Sequence, residues 1–120
     1  MIKLTIPIVP SVNNCYRNVT VNRRILTAKG KAWQHEVQYI AKAEAKRQKW
    51  SFSKGEKLVM ELWFYWPDKR KRDTHNSHKL LLDTLESILY ENDCMVLARD
   101  MDFMLDRNNP RVEVVLKIKE

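Results

Sequence analysis

The fold is decided by a stretch in the middle of the chain, Leu58–Trp66, which reads LVMELWFYW. It is dense in apolar and aromatic residues and is too short for a typical helix. It therefore predicts a largely buried strand from Lys57 to Tyr65, and a strand of this kind needs further elements packed against it.

Upstream of this strand, the chain predicts another strand followed by a long loop. At the N-terminus, apolar residues alternate with polar ones or Pro7, which predicts a half-buried strand that ends near Pro7 and Pro10. Residues 9–26 contain many Asn residues and have no sustained period, so they predict a loop, and loops this long in a small domain are usually functional. The alternating apolar residues are Ile2, Leu4, Ile6 and Ile8.

The first helix is predicted between these two strands. Thr27 is a residue type that caps helices, so a helix is expected to begin at Ala28. Spacings of three and four residues place one set of side chains on a shared face, and lysines fall on the opposite face. The shared face comprises Trp33, Val37, Ile40, Ala41 and Glu44.

A second helix and two more strands are predicted after the buried strand. The helix runs from Thr74 or His75 to Leu89, with its leucines facing inward. Strands are predicted at Val96–Met104 and Arg111–Lys117, joined as a hairpin by a turn at residues 106–110. The order β, long loop, α, β, α, β, β predicts an α+β fold with two helices packed on one small mixed β-sheet.

Length and composition indicate a packed protein. The 120 residues fit a single domain, taken as residues 1–120, and 44% hydrophobic residues allow a real core. No apolar run is long enough to span a bilayer, so we expect no membrane association and a cytoplasmic protein. Cys15 and Cys94 form no framework pattern and are expected to be reduced.

Charge is divided unevenly between the two halves of the chain. Residues 1–60 contain 12 Lys and Arg against 3 acids, and residues 61–120 contain 10 against 12. A basic surface binds phosphates by releasing their counterions, and acids in a cationic protein are candidates for metal binding or acid-base work. Nucleic acid is therefore the first partner to consider, and the alternative is a basic surface that only keeps the protein soluble.

The segment richest in chemistry is Lys69–Lys79, which reads KRKRDTHNSHK, with Asp93 beyond it. Four consecutive cations suit phosphate, and hydrolysis of a phosphodiester needs a hard cation such as Mg²⁺ held by carboxylates, together with a lysine. Asp73, Asp93 and Lys79 have these residue types, and the two acids converge only if the chain folds back after Leu89. The alternative is a helix cap, a turn acid and a surface lysine.

The two histidines of this segment are candidate ligands for a zinc ion. His75 and His78 are three residues apart, and with Cys94 or Cys15 they have the residue types of a zinc site. No Cys-x-x-Cys spacing supports that interpretation, so a zinc site is not expected.

Two further groups have a structural and a functional interpretation. Asp100 and Asp102 are two residues apart in a predicted strand and so are expected to share a face. An exposed polar face is favoured there over a second pair of metal ligands. Trp66 follows the buried strand beside the basic run, where it could stack on an unpaired base. The core is the expected position of the other tryptophans, Trp33, Trp50 and Trp63.

Motifs in the first half of the chain stand in a recognisable order. Pro10–Tyr16 reads PSVNNCY and is similar to an early Pro-Ser-Asn-Asn-x-Tyr signature. Thr27–Trp33 is similar to a segment of small residues, Gly and an aromatic residue that leads into a first helix. Both motifs resemble those of the RusA-type Holliday junction resolvases of bacteria and their prophages.

The second half continues this resemblance. Pro67–Asn76 reads PDKRKRDTHN and resembles the family's Pro-Asp, basic run and Asp-x-Asp-Asn, with Lys79 at the family's lysine and Asp83 at its later aspartate. Asp93 with Val96 resembles the Asp-Asp-x-x-Val element that supplies another catalytic acid. The resemblance covers nearly the whole chain, and its specificity comes from the order and spacing of the pieces.

The resemblance implies a homodimeric, Mg²⁺-dependent endonuclease, bacterial or phage-encoded, that nicks two opposed strands of four-way DNA junctions in recombination and repair. Carried over by position, Asp73 and Asp93 are expected as metal ligands and Lys79 as the catalytic lysine. DNA contacts are expected from the long loop and the basic run. The candidates are Asn13, Asn14, Tyr16, Arg17, Arg23, Arg24, Lys69, Arg70, Lys71, Arg72 and Asn76.

The chain departs from the family pattern at His75, where the family has the second aspartate of Asp-x-Asp. Imidazole is a poor Mg²⁺ ligand but an acceptable Mn²⁺ ligand, and a neutral histidine can act as a general base. His75 is therefore a candidate ligand or base, or a bystander in a site completed by another acid. The rival functions are a branched-DNA-binding protein without cleavage and a flap or fork nuclease.

Overall fold

The strands and helices follow the predicted order, with a two-stranded addition before the first helix. The computed structural model describes residues 1–11, 15–20, 23–70, 72 and 74–120, without the side chains of Arg23, Arg24 and Asn76. The strands are β1 (Ile2–Ile6), β2 (Tyr16–Thr20), β3 (Arg23–Leu26), β4 (Leu58–Trp66), β5 (Val96–Leu105) and β6 (Arg111–Ile118). The helices are α1 (Ala28–Arg47), α2 (His78–Leu85) and short 3-10 helices at Thr74–Ser77 and Asp93–Met95.

The main sheet has four strands in the order β1-β6-β4-β5. Neighbouring strands are antiparallel except β4 and β5, which are parallel. The predicted buried strand is confirmed as β4, which lies between β6 and β5 and is fully buried at alternate positions. The α+β class with two helices on a mixed sheet is also confirmed.

The hydrophobic core lies between the helices and one face of this sheet. Alternate side chains of β1, β4 and β6 point to that face, because successive residues of a strand point to opposite sides. The largest fully buried groups from the strands are Ile2, Ile6, Leu58, Met60, Leu62, Phe64 and Leu116. The helices contribute Trp33, Val37, Ala41, Leu81 and Leu85.

The tryptophans divide differently from the expectation. Trp33 is buried and donates a hydrogen bond to the carbonyl of Pro7, and Trp50 packs against the core and donates one to Leu89. Trp63 is only half-buried, since its position in β4 points to the face opposite the helices. Trp66, proposed as a stacking ring, is instead buried in the core.

Helix α1 begins where the sequence predicts. The Thr27 hydroxyl accepts a hydrogen bond from the amide of Gly30, so Thr27 is the N-cap. A Cβ at Gly30 would lie 2.8 Å from the carbonyl oxygen of Cys15, so only glycine permits this close approach. Cys15 is buried and Cys94 exposed, both as free thiols, and burial raises the pKa of Cys15.

The prediction of an unstructured loop over residues 9–26 is wrong for its second half. Strands β2 and β3 pair there as an antiparallel two-stranded ribbon, with Tyr16 opposite Leu26 and Arg17 opposite Ile25. The described side chains of β2 after Tyr16 are exposed. Because neither face of this strand is buried, its sequence shows no alternation of apolar and polar residues, which is the usual sign of a strand. The amide of Thr27 donates to the carbonyl of Cys15 and closes the base of the ribbon.

The second helix is shorter than predicted. A 3-10 helix replaces its first turn, and α2 ends at Leu85 because Glu86 is extended and Ser87 has a φ of 72°. Leu89 nevertheless reaches the core, since the chain turns back through it after the helix. None of the described helices is long and apolar enough to cross a membrane.

The predicted hairpin between the last two strands is wrong. Strand β4 lies between β5 and β6, and the amide of Asp106 donates to the carbonyl of Trp66 as the chain passes the end of β4. The burial of the two strands fits this order: β6 is fully buried at alternate positions, as a central strand can be, whereas every residue of β5 is exposed or half-buried, as in an edge strand.

Candidate active site and nucleic-acid interface

The basic loop follows the end of β4 and is described at residues 67–70 and 72. Lys69 and Arg70 are exposed, whereas Arg72 is half-buried and donates to the carboxylate of Asp68 at 2.7 Å. That hydrogen bond, together with one from the amide of Arg70, holds the pKa of Asp68 below its usual value. Among the residues of the loop that are described, these two exposed cations are therefore the most available to phosphates.

An open groove with a volume of about 450 Å³ lies between the loop and the end of β5. Its apolar side is formed by residues from the ends of the two parallel strands, and its rim is cationic. The guanidinium of Arg72 lies 5.0 Å from the ring centroid of Trp66, so this ring is covered. The lining residues are Trp66, Asp68, Lys69, Arg70, Arg72, Phe103, Met104 and Leu105.

Next to this groove, the carboxylate of Asp100 collects polar groups from the segment that follows the basic loop. The hydroxyl of Thr74 donates to Oδ2 at 2.8 Å, and Nε2 of His78 lies 2.7 Å from Oδ1. Nε2 of His75 lies 3.6 Å from Oδ2, and its ring meets that of His78 at 88° with centroids 5.8 Å apart. We call these four residues the Asp100 cluster.

The members of the Asp100 cluster differ in exposure. The side chain of Asp100 is 20% exposed and that of His78 is 23% exposed, whereas His75 is 79% exposed. A shielded carboxylate bonded to a shielded imidazole fixes the ring orientation, and the exposed imidazole remains accessible to a substrate. Such an arrangement suits acid-base chemistry at the surface.

A register shift in β5 determines which acid joins the cluster. Leu62 is opposite Asp100 but the next residue, Trp63, is opposite Asp102, so Met101 is the extra residue of a bulge. Because Leu62 and Trp63 point to opposite faces, Asp100 and Asp102 do too, and the expectation that they share a face is wrong.

The surroundings of Tyr65 support this placement of Asp102. The pKa of Tyr65 is raised first by its hydrogen bond to Glu113, and the charge of Asp102 adds to this effect. Tyr65 lies on the face of β4 opposite the helices, so Asp102 is on that face as well. Asp100 alone of the two acids faces the helical layer.

The candidate acid Asp93 lies near the other end of α2. Its amide donates to a carboxylate oxygen of Glu86 at 2.8 Å. Burial raises the pKa of Tyr90, and the nearby charges of Asp93, Glu86 and Asp83 add to the shift. Asp93 is therefore in an acidic neighbourhood around a buried tyrosine.

Lys79, the candidate catalytic lysine, is exposed on the first turn of α2. Its Nζ lies 3.5 Å from a carboxylate oxygen of Asp83, one turn further along the same face. At this exposure the pair contributes little to stability, so the ammonium group can exchange partners readily.

Several predicted site residues lie outside the part of the chain that is described. These are Asn13, Asn14, Lys71 and Asp73, and for Arg23, Arg24 and Asn76 only the backbone is described. Arg17 is exposed on β2, and Tyr16 is half-buried against the core. The backbone of β3 places Arg23 and Arg24 on the same ribbon as Arg17.

Within the described residues, no three His, Cys, Asp or Glu groups are placed to hold a metal ion. The described donors therefore do not make a metal centre by themselves, and a Mg²⁺ site would require Asp73 in addition. Of the two cysteines considered as zinc ligands with His75 and His78, Cys15 is buried and Cys94 is exposed.

Sequence reasoning missed Asp100 as the partner of the histidines and Phe103 as the exposed ring of the groove. The sequence offers Asp100 as a partner of Asp102 and, with Asp83 and Asp102, as an acid that could complete the site, but a bulge is not visible in the residue alternation. Charge gives no signal here, since β5 and the central strand β6 each contain three charged residues.

The cations of the basic loop are clustered along one side of the groove, and such a basic patch is typical of proteins that bind nucleic acids. The family model Endodeoxyribonuclease RusA matches residues 5–117 of the 120. The chain therefore belongs to the RusA family of endodeoxyribonucleases, which confirms the resemblance of its motifs. A comparison with curated proteins finds no match.

Proposed function

We propose that the protein is a Mg²⁺- or Mn²⁺-dependent endodeoxyribonuclease that resolves four-way DNA junctions by paired symmetric nicks, in recombination and repair. The observation that carries this proposal is the family match over residues 5–117. The cationic groove beside the Asp100 cluster adds support, since it joins phosphate-binding groups to acid-base groups on one side of the sheet.

In this proposal the charged candidate residues have three roles. Lys69 and Arg70 attract and position the phosphates of the junction. Asp73 and Asp93 would hold the metal ion, which would lower the pKa of a bound water and neutralise charge on the phosphate. Lys79 leaves its ion pair with Asp83 and stabilises the negative charge that develops on the phosphate oxygens.

His75 acts as the general base. Its imidazole accepts a proton from the attacking water as the new P–O bond forms and the bond to the leaving oxygen breaks. The carboxylate of Asp100, 3.6 Å from Nε2 of His75, stabilises the imidazolium that results. His78 and Thr74 hold that carboxylate in place.

The decisive experiment is incubation with an end-labelled four-way junction in Mg²⁺ or in Mn²⁺, read on a denaturing gel. We expect two nicks at symmetric positions in opposed strands. Matched flap and replication-fork substrates test whether the activity is selective for junctions. Cleavage of flaps or forks at the same rate would replace junction resolution with the less selective nuclease.

A second candidate function is branched-DNA binding without cleavage. It is favoured by one observation: His75 stands at the position where the family has a carboxylate. Junction binding without products in either metal would support it.

The role of His75 is tested by two substitutions. His75→Ala should lower the cleavage rate while junction affinity is retained, because the ring is exposed and not part of the core. If His75 is a general base, His75→Asp should move the rise in activity to lower pH, since a carboxylate deprotonates near 4 and an imidazole near 6.5. A shift of metal preference from Mn²⁺ toward Mg²⁺ instead would assign His75 as a ligand.

Two symmetric nicks in one junction require two active sites, so the working unit is a homodimer with an isologous interface. Equilibrium sedimentation at micromolar protein, with and without junction DNA, measures this directly. A monomer under both conditions would contradict the dimer.

A further inference from the structure

An exposed aromatic ring lies at the mouth of the groove between the basic loop and β5. Phe103 is 68% exposed, although it stands opposite the fully buried Phe64 in the parallel pair of strands. Leu105, the next residue on the same face, is 44% exposed. The groove therefore has an apolar side that the described helices do not cover.

In contrast to this apolar side, the rim of the groove is positively charged. Lys69 and Arg70 are exposed, and the guanidinium of Arg72 covers the ring of Trp66. A ligand that satisfies both sides needs a flat apolar surface for Phe103 and negative charges for the loop. An unpaired nucleotide has both, because each base has a π-face and each linkage carries a phosphate.

Phe103 and the Asp100 cluster lie on the same face of the sheet. Asp100 is opposite Leu62 and Phe103 is opposite Phe64, so two residues of β4 separate them. Two residues of a strand span about 7 Å, which is within the reach of one nucleotide. A base held against Phe103 would bring its neighbouring phosphate close to the cluster.

We propose that this groove binds one unpaired base at the branch point of the DNA, stacked on Phe103, with its flanking phosphates on Lys69 and Arg70. The proposal rests on the proposed function, since it requires branched DNA as the substrate. Phe103 is the stacking ring and Trp66 is not, because Trp66 is 9% exposed and lies under Arg72.

The test is a thermodynamic cycle between the ring and the base. Junction affinity is measured by fluorescence anisotropy without divalent metal, using the intact junction and junctions in which symmetric branch-point nucleotides are made abasic one position at a time. For the parent protein, we expect one abasic position to weaken binding about fivefold or more. Phe103→Ala should weaken binding to the intact junction by a similar factor. For this variant, the junction that is abasic at that position should bind as well as the intact junction.

Two further variants control this cycle. Phe103→Trp should keep both the affinity and the abasic penalty, because tryptophan also stacks on bases. Tyr39→Ala removes another exposed aromatic ring, on α1, and should behave as the parent in every measurement. Unfolding by urea should be nearly unchanged for Phe103→Ala, since the side chain is mostly exposed.

The outcomes distinguish failure of this inference from failure of the proposed function. A parent protein that does not bind the junction overturns both. Binding and cleavage by the parent with equal abasic penalties for the parent and Phe103→Ala would overturn the base-binding groove alone. If Phe103→Ala converts a dimer to a monomer, the groove binds a second copy of the chain instead of a base. That result would also overturn the inference.

Discussion

Nε2 of His78 lies 2.7 Å from Oδ1 of Asp100, a contact between residues 22 positions apart in the chain. It ties the first turn of α2 to the edge strand β5, directly after the basic loop. This contact holds acid-base groups beside the cationic groove, so disturbing it should affect both.

Replacing Asp100 tests that connection. Asp100→Asn keeps the size but removes the charge that bonds Thr74 and His78, so we expect a loss of about 1 kcal/mol in the free energy of unfolding. Cleavage should fall further than this loss of stability explains, since the imidazolium of His75 loses its partner. Urea denaturation and single-turnover cleavage measure the two effects.

The matched control is Asp102→Asn, because Asp102 lies two residues away on the opposite face of the sheet. It should leave cleavage unchanged. Equal loss of cleavage in both variants would mean that general charge removal, and not the Asp100 cluster, is responsible.

Neutralising the candidate metal ligands should separate binding from chemistry. Asp73→Asn or Asp93→Asn should reduce cleavage by roughly 100-fold or more while junction affinity is kept or increased, because negative charge near phosphates is removed. Gel cleavage and anisotropy binding are measured on the same preparations. Glu91→Gln, an exposed acid two residues from Asp93, is the control, and a parent-like rate for either aspartate variant would remove that residue from the site.

Removing the exposed charges of the basic loop should change the salt dependence of binding. For Lys69→Ala with Arg70→Ala, the slope of log affinity against log salt should become shallower by about 0.9 per lost phosphate contact. The control pair Lys42→Ala with Lys46→Ala removes the same charge from the exposed side of α1. An unchanged slope for the loop variant would identify the loop as a solvated surface.

Gly30→Ala should destabilise the protein although alanine favours helix. In an unhindered helix this change stabilises by about 1 kcal/mol, but here the new Cβ would meet the carbonyl oxygen of Cys15 at 2.8 Å. We expect a net loss of about 1–3 kcal/mol, measured by urea denaturation. Lys31→Ala, at an exposed neighbouring position, should be close to neutral, and a stabilised Gly30→Ala would show that the ribbon can move away.

The turn after β5 should contribute to acid sensitivity. A hydrogen bond from Arg111 holds the pKa of Asp106 below its usual value, so the native state binds fewer protons than the unfolded state near this pKa. The contribution is complete above the ordinary pKa near 4 and is lost as the pH falls through the lower, folded-state pKa.

Asp106→Asn should therefore flatten the fall in stability between about pH 5 and pH 2, compared with the parent. Arg111→Ala should have the same effect on the slope, together with a loss at neutral pH, because its guanidinium also lies 3.8 Å from the ring centroid of Tyr65. Urea denaturation across this pH range provides the comparison. A parent-like slope for Asp106→Asn would mean that other carboxylates dominate acid unfolding.

The sequence by itself determined the buried strand, the start of α1 with its Thr27 cap, the existence of the second helix, and the family. Each of these leaves a local mark: an apolar run, a period of 3.6 residues, a capping residue, or motifs in a fixed order. Residue type and the family pattern indicate Asp73, Lys79 and Asp93 as site residues, and their roles stay predictions.

Only the tertiary structure decided which strands are neighbours and which side chains meet. The placement of β5 at the edge, parallel to β4, depends on how much surface each strand buries in the whole sheet, and a turn between β5 and β6 does not reveal it. One extra residue, Met101, reverses the faces of Asp100 and Asp102. The contact of Asp100 with His78 and the exposure of Phe103 follow from that register, which is set by hydrogen bonds to another strand and not by the residues of β5 themselves.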